Sequence, residues 1–120
     1  MKDRLLHRNV PKSFIKDGEI TSQTFTPFPK DDNLLSVYNS SYFDAEGCFN
    51  HYTQNNSSIG VMSVSEQECE ESKLPVIDDN IPFKGHSSID FRNLKSRREK
   101  ATAAKELKKY AIKRDWTYQP

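Results

Sequence analysis

A small α+β domain is what this chain of 120 residues predicts, with about four strands in one sheet, helices packed on one face and a long C-terminal helix. Three observations lead there. The apolar pattern changes period along the chain, from short alternating or continuous runs to positions recurring every three or four residues. Two serine–glutamate pairs, Ser65 with Glu68 and Ser96 with Glu99, mark helix starts. Seven Phe, five Tyr and one Trp supply large apolar surfaces to a chain that is otherwise wet, 34% apolar and 29% charged. At this length there is one modest core and no second lobe.

The elements follow in order. Residues 1–18 mix charges with Pro11 and Gly18 and read as an irregular N-terminal arm; residues 19–120 form the domain. "EITSQTFTPF" is a β-rich run stopped by Pro27 and Pro29, and "PKDDN" is a turn by composition. "LLSVY" is a short strand with Leu35 and Val37 on one face. Asp44 caps a helix whose Ala45, Cys48, Phe49 and Tyr52 form one stripe. "IGVMSV" is a buried strand, apolar on both faces, that runs directly into the Ser65–Glu68 capping box. Pro75 keeps the helix behind that box short. "LPVIDDNIPF" is extended or looped, and "HSSIDF" is a last strand with Ile89 and Phe91 on one face. The Ser96–Glu99 box opens a final helix that runs to about Arg114. Trp116 and Tyr118 in the tail either pack on the domain or pair as an edge strand.

Net charge is +1, which excludes nothing, but the distribution is informative. Ten cations against three anions lie between Arg92 and Asp115, and six anions against one cation between Ser65 and Asn80. The first ten residues lack the apolar segment of a secretory leader, and no run is long enough to span a membrane. With two cysteines, Cys48 and Cys69, and no disulfide framework, a cytoplasmic protein with reduced thiols is expected.

The final helix carries the functional expectation. Ala103, Ala104, Leu107, Tyr110 and Ala111 share one face at spacings of three and four, so that stripe is buried. The cations cover the rest, and Arg97, Arg98, Lys105, Lys108, Lys109, Lys113 and Arg114 are the candidate contact residues. An acidic partner protein suits them. A phosphate backbone suits them too, but no helix-turn-helix, zinc finger or aromatic run supplies a base reader. Nucleic-acid binding here would rest on charge and shape.

Catalytic groups are sparse. Cys48 and His51 stand three apart on a helix, and a metal would also want Cys69 or His86, which lack the paired spacing of a zinc site. Neither a metal nor a cofactor is expected. Glu66 and Glu68, with "TSQTF" at 21–25 in the place of an S-T-S strand and Arg8 upstream, resemble the E-x-E motif of arginine-type ADP-ribosyltransferases. That resemblance implies a small transferase, whereas a capping box explains Ser65 and Glu68 without catalysis. At the level of the whole chain, "HRNVPKSFIKDGEITSQTFTPFPKDDNLLSVY", "SIGVMSVSEQECEESKLPV" and "KRDWTY" resemble a group of short, uncharacterised bacterial proteins. This implies a bacterial cytosolic origin and one compact domain. The expectation is a non-catalytic accessory protein of a multi-gene system, of antiphage-defence or toxin-immunity type. It docks on a protein encoded nearby or on a second copy of itself. A sequence-independent nucleic-acid binder is the second expectation.

Overall fold

The computed structural model describes residues 2–120. In chain order its strands are β1 (Leu5–Asn9), β2 (Ile15–Lys16), β3 (Glu19–Ile20), β4 (Leu34–Asn39), β5 (Val61–Ser65), β6 (Val76–Ile77) and β7 (His86–Asp90). Its helices are α1 (Ala45–Tyr52), α2 (Glu66–Glu71) and α3 (Arg97–Arg114). Five strands make the main sheet, in the order β5-β1-β4-β7-β6, and each neighbouring pair is antiparallel. A separate hairpin pairs β2 with β3 across Asp17 and Gly18, both at positive φ. That is what a tight Asp-Gly turn requires.

The α+β class therefore holds, with five strands rather than four. The irregular arm expected over residues 1–18 does not. Within it lies β1, an interior strand between β5 and β4. Leu6 and Val10 are fully buried on one face, while His7 and Asn9 are buried on the other. A strand with two polar side chains on its second face shows no apolar alternation, which is why it reads as irregular. The "EITSQTFTPF" run also departs from a strand. Only Glu19–Ile20 pairs, and Ser22–Phe25 winds into a 3-10 helix that buries Thr24 and Phe25.

The caps form as the sequence predicts. Asp44 accepts from the Gly47 amide at 2.7 Å. In both boxes the serine hydroxyl takes the amide of the glutamate, at 3.1 Å for Ser65 and 3.0 Å for Ser96, and the glutamate carboxylate returns to the serine amide. The tail makes a bridge from Tyr118 to Val61. It lies so close to Gly60 that an added Cβ would sit 2.8 Å from the Tyr118 carbonyl. Only glycine permits that approach.

Side-chain alternation gives the sheet two unlike faces. Leu6, Leu35, Val37, Val64 and Ile89 point to one side and form the main core with Phe25, Phe91 and the inner stripe of α3, namely Ala103, Ala104, Leu107 and Ala111. Cys69 of α2 joins the same core. The opposite face carries His7, Tyr38, Ser63 and His86, and α1 lies over part of it through Cys48, packed with Tyr38 and Val61. Helices thus occupy both faces, not one. The reason is the second face itself, where Tyr38 and Val61 need an apolar cover that α1 supplies. A radius of gyration of 13.1 Å matches the roughly 13–14 Å of one compact domain of this length. Among the described residues no helix is long and apolar enough to cross a membrane.

Leu107 is fully buried at the centre of the α3 contact. Leu107→Ala is expected to lower unfolding free energy by about 3 kcal/mol in urea titration, with Lys109→Ala close to neutral. A Leu107→Ala cost well under 1 kcal/mol would mean that α3 is not docked as described.

Candidate functional site

Two surfaces draw attention, one on each side of the sheet. On the outer arc of α3, Arg97, Arg98, Lys105, Lys109 and Lys113 are exposed and Lys108 is half-buried. Among the described residues none of these six joins an ion pair. Arg98, Lys105, Lys109 and Lys113 recur at spacings of seven and four, so they form one stripe along a helix about 27 Å long.

Arg114, expected with them, belongs to the interior. It stands seven residues after Leu107 and three after Ala111, which puts it on the buried stripe. Its Nη1 and Nη2 donate to the two Glu68 carboxylate oxygens at 2.8 and 3.0 Å, and Nη1 also donates to the Ser63 carbonyl at 3.0 Å. This two-pronged clamp ties the end of α3 to the junction of β5 and α2. Burial alone would push the Glu68 carboxyl up. The hydrogen bonds from Arg114 and the Ser65 amide outweigh it and hold Glu68 below the usual carboxylate range.

Most of the acids in the middle of the chain are spent elsewhere. Arg4 donates to Glu66 at 3.2 Å and to Asp78 at 2.7 Å, and Lys2 to Glu70 at 2.9 Å. The Arg4 hydrogen bond holds the Asp78 carboxyl low despite partial burial. Of the acids on α3 itself, Glu106 takes the Ser72 hydroxyl at 3.0 Å. The lysine stripe is left without internal counterions.

The second surface is a cleft of about 580 Å³ on the polar face of the sheet, roofed on one side by the end of α1 and on the other by the Pro82–Phe83 loop. Strand divergence makes it. β1 pairs with β4 only at Leu6↔Asn39 and His7↔Tyr38, while it stays paired with β5 as far as Asn9↔Val61. Where β4 parts from β1, the Arg8 side chain fills the split, donating from Nε to the Thr24 carbonyl and from Nη1 to the Ser36 carbonyl, each at 2.9 Å. Enclosure by protein pushes its guanidinium down from the usual value.

Around this floor stand all three histidines of the chain. Tyr38 Oη lies 2.8 Å from His51 Nδ1, and burial pushes the phenol up. His86, cross-strand partner of Tyr38, has its Nδ1 2.6 Å from Asp79 Oδ1. Ser88 donates to the other Asp79 oxygen at 2.7 Å. Burial would raise the Asp79 carboxyl, but the Ser88 and His86 bonds hold it below its usual range. Phe83 sits between the two imidazoles, 4.5 Å from the His51 ring and 5.3 Å from the His86 ring, centroid to centroid. His7 lies deeper, its Nδ1 2.7 Å from the Ser63 hydroxyl, which in turn is 2.8 Å from Thr117 Oγ1. Burial pushes the His7 imidazole down, so it stays neutral.

The other sequence candidates are not brought together as pairs. The Cys48 thiol is fully buried, takes the Asn9 amide at 3.2 Å and is pushed up to about 12 by burial, far from a thiolate. His51, three residues on, turns to Tyr38 instead. Cys69 is likewise buried and pushed up to about 12, and it packs in the α3-side core, remote from His86. Among the described residues no three His, Cys, Asp or Glu side chains converge as metal ligands. Glu66 and Glu68 are engaged with Arg4, Arg114 and the helix cap, and neither lines the cleft that Arg8 floors. The cleft itself was missed, because positions 7, 8, 38, 51, 83 and 86 share no spacing. The one signal available was "HRN" beside two leucines, polar residues where a strand would bury them.

Set against known proteins, the chain matches no family model, no curated protein and no solved structure.

Acid sensitivity follows from two sets of groups. The buried His7 stays neutral where the unfolded chain takes a proton near 6.5. Its contribution is therefore full above that pH and falls as pH drops towards the lower folded value. Glu68, Asp78, Asp79 and Asp90 are all depressed in the fold. Their contribution is present above about pH 4 and is lost as pH falls through their folded values. Thermal melting between pH 8 and pH 2.5 is expected to show two successive declines, and His7→Gln to remove the first. Persistence of the first decline in that variant would assign it to another group.

Proposed function

We propose that the protein is a non-catalytic accessory subunit that docks on an acidic surface of another protein through the outer face of α3. One observation carries the reading: Arg97, Arg98, Lys105, Lys108, Lys109 and Lys113 have no ion-pair partner among the described residues, while four of the six acids of the chain's middle pair with Lys2, Arg4 and Arg114. A strip of like charge on a rigid, doubly anchored helix raises the encounter rate with a complementary surface and fixes its register. Exposed Ala101 and the outer part of Ile112, whose inner part packs on the core, lie on the same arc. They give a partner protein apolar contacts that a phosphate backbone does not use. In the setting that the bacterial resemblance implies, the protein is cytoplasmic and the partner is the product of a neighbouring gene in a multi-gene system, of defence or immunity type.

The test is co-expression with the neighbouring gene products, followed by affinity purification. A complex of even stoichiometry is expected, its affinity falling as salt rises. Lys105→Glu with Lys109→Glu is expected to weaken it at least about tenfold, or 1.4 kcal/mol, with thermal stability unchanged. A complex indifferent to that charge reversal overturns the reading. So does tight binding of arbitrary duplex DNA or RNA that the same variant abolishes, which is the signature of a backbone binder.

A further inference from the structure

The cleft on the opposite face has features that the docking reading does not use. Arg8 is held by two backbone carbonyls and joins no ion pair, and its Nη2 has no hydrogen-bond partner among the described residues. Asp31, whose charge acts on the guanidinium, lines a smaller neighbouring cavity and not the cleft itself. An enclosed cation without an anion is costly unless something anionic or water meets it. None of the described carboxylates lines the larger cleft, although the chain has seventeen. What lines it instead is Arg8 and the three histidines. His51 and His86 both have Nδ1 engaged, by Tyr38 and Asp79, and each leaves Nε2 without a partner among the described residues. The buried polar atoms that lack partners are His7 Nε2, Asn9 Oδ1 and Thr24 Oγ1. Two belong to the residues flanking Arg8, and the third to the residue whose carbonyl Arg8 binds. His7 and Asn9 line the cleft, Thr24 does not, and buried polar atoms without protein partners mark a place where water or a ligand completes them.

We infer that this cleft binds a small phosphate ester bearing a flat ring, of the size of a nucleoside monophosphate, with the phosphate over Arg8 and the ring against Phe83. The absence of acids and the unpaired guanidinium select an anion. Arg8 of β1, His51 of α1 and His86 of β7 line the cleft from different elements, and a phosphate, with several acceptor oxygens, can meet the guanidinium while a protonated imidazole donates to it from Nε2. A volume of about 580 Å³ lies in the range of small-molecule sites. Phe83 and Tyr52, both half-buried in the lining, offer aromatic surface for stacking.

Titration of the full chain with AMP, UMP, adenosine and inorganic phosphate, followed by calorimetry and by the imidazole resonances of His51 and His86, tests this. The monophosphates are expected to bind at least about tenfold more tightly than adenosine, and to shift both imidazoles. Phe83→Ala is expected to weaken the nucleotides several-fold and leave inorganic phosphate unchanged, and His51→Gln to weaken both. Arg8 also ties the sheet together, so the variants at half-buried Phe83 and His51 carry the test without it. Adenosine binding as tightly as AMP removes the anion from the proposal. Failure of AMP, UMP and phosphate to bind at millimolar concentration overturns it.

Discussion

β1 is paired unequally by its two neighbours, and the rest of the molecule is arranged around that inequality. Its ladder with β5 is continuous from Leu5 to Asn9, whereas its ladder with β4 ends after His7. β4 meanwhile remains paired with β7 along five positions. A sheet split in its middle would leave carbonyls of β4 bare, and buried bare carbonyls are expensive. Arg8 resolves this by inserting a fork of donors where a strand partner would have been, on Ser36 and on Thr24. A leucine at this position would fill the volume and satisfy nothing. The guanidinium satisfies the backbone at the cost of placing a charge inside the fold. The cleft is the space that the divergence opens.

The two faces of the sheet then separate stability from chemistry. On the α3 side most inward side chains are apolar, with Asn39 and Ser87 the buried polar pair among them, and the small Ala103, Ala104 and Ala111 let the helix axis approach the strands closely. The Arg114–Glu68 clamp fixes the far end of that helix against the α2 cap, so the capping box and the clamp share one carboxylate. On the α1 side the buried set is polar: His7, Asn9, Ser63, His86 and Ser88. Such a layer contributes less to burial energy per residue and needs its hydrogen bonds complete to be tolerated. Most are complete through Ser63, Thr117 and Asp79. Those that are not sit beside Arg8.

What the sequence discloses about this fold is what local chemistry governs. Ser65 and Ser96 announce their helices because a hydroxyl and a glutamate three residues apart answer to the first turn alone. "IGVMSV" and "HSSIDF" announce strands because their apolar positions face a core. β1 is silent because its faces are a mixture: Leu6 and Val10 flank Arg8 on one side, with His7 and Asn9 on the other. The same holds for Arg114. By composition it is one more cation of a basic helix, and only its phase relative to Leu107 and Ala111 separates it from Lys113. The cleft is assembled from β1, β4, α1, β7 and the Pro82–Phe83 loop, whose mutual positions depend on long-range pairing that no short pattern encodes. His51 illustrates the limit, since sequence distance pairs it with Cys48 and the fold pairs it with Tyr38.

The lysine stripe and the cleft lie on opposite faces, so a protein seated on α3 does not cover the space over Arg8. Their frameworks nonetheless meet. The Ser22–Phe25 turn touches both: Thr24 gives its carbonyl to Arg8, and Phe25 next to it packs in the core that α3 closes. An anion over Arg8 draws on the guanidinium that the Thr24 carbonyl also holds, and any shift of that turn is felt by the aromatic ring under α3. Close packing makes such a core respond by discrete rearrangement or not at all. The turn has no side-chain cap at its N-terminus, and it is held there instead by Thr21, whose amide and hydroxyl both donate to the Phe14 carbonyl at 2.9 Å, so the hairpin anchors it alongside the cleft and the helix.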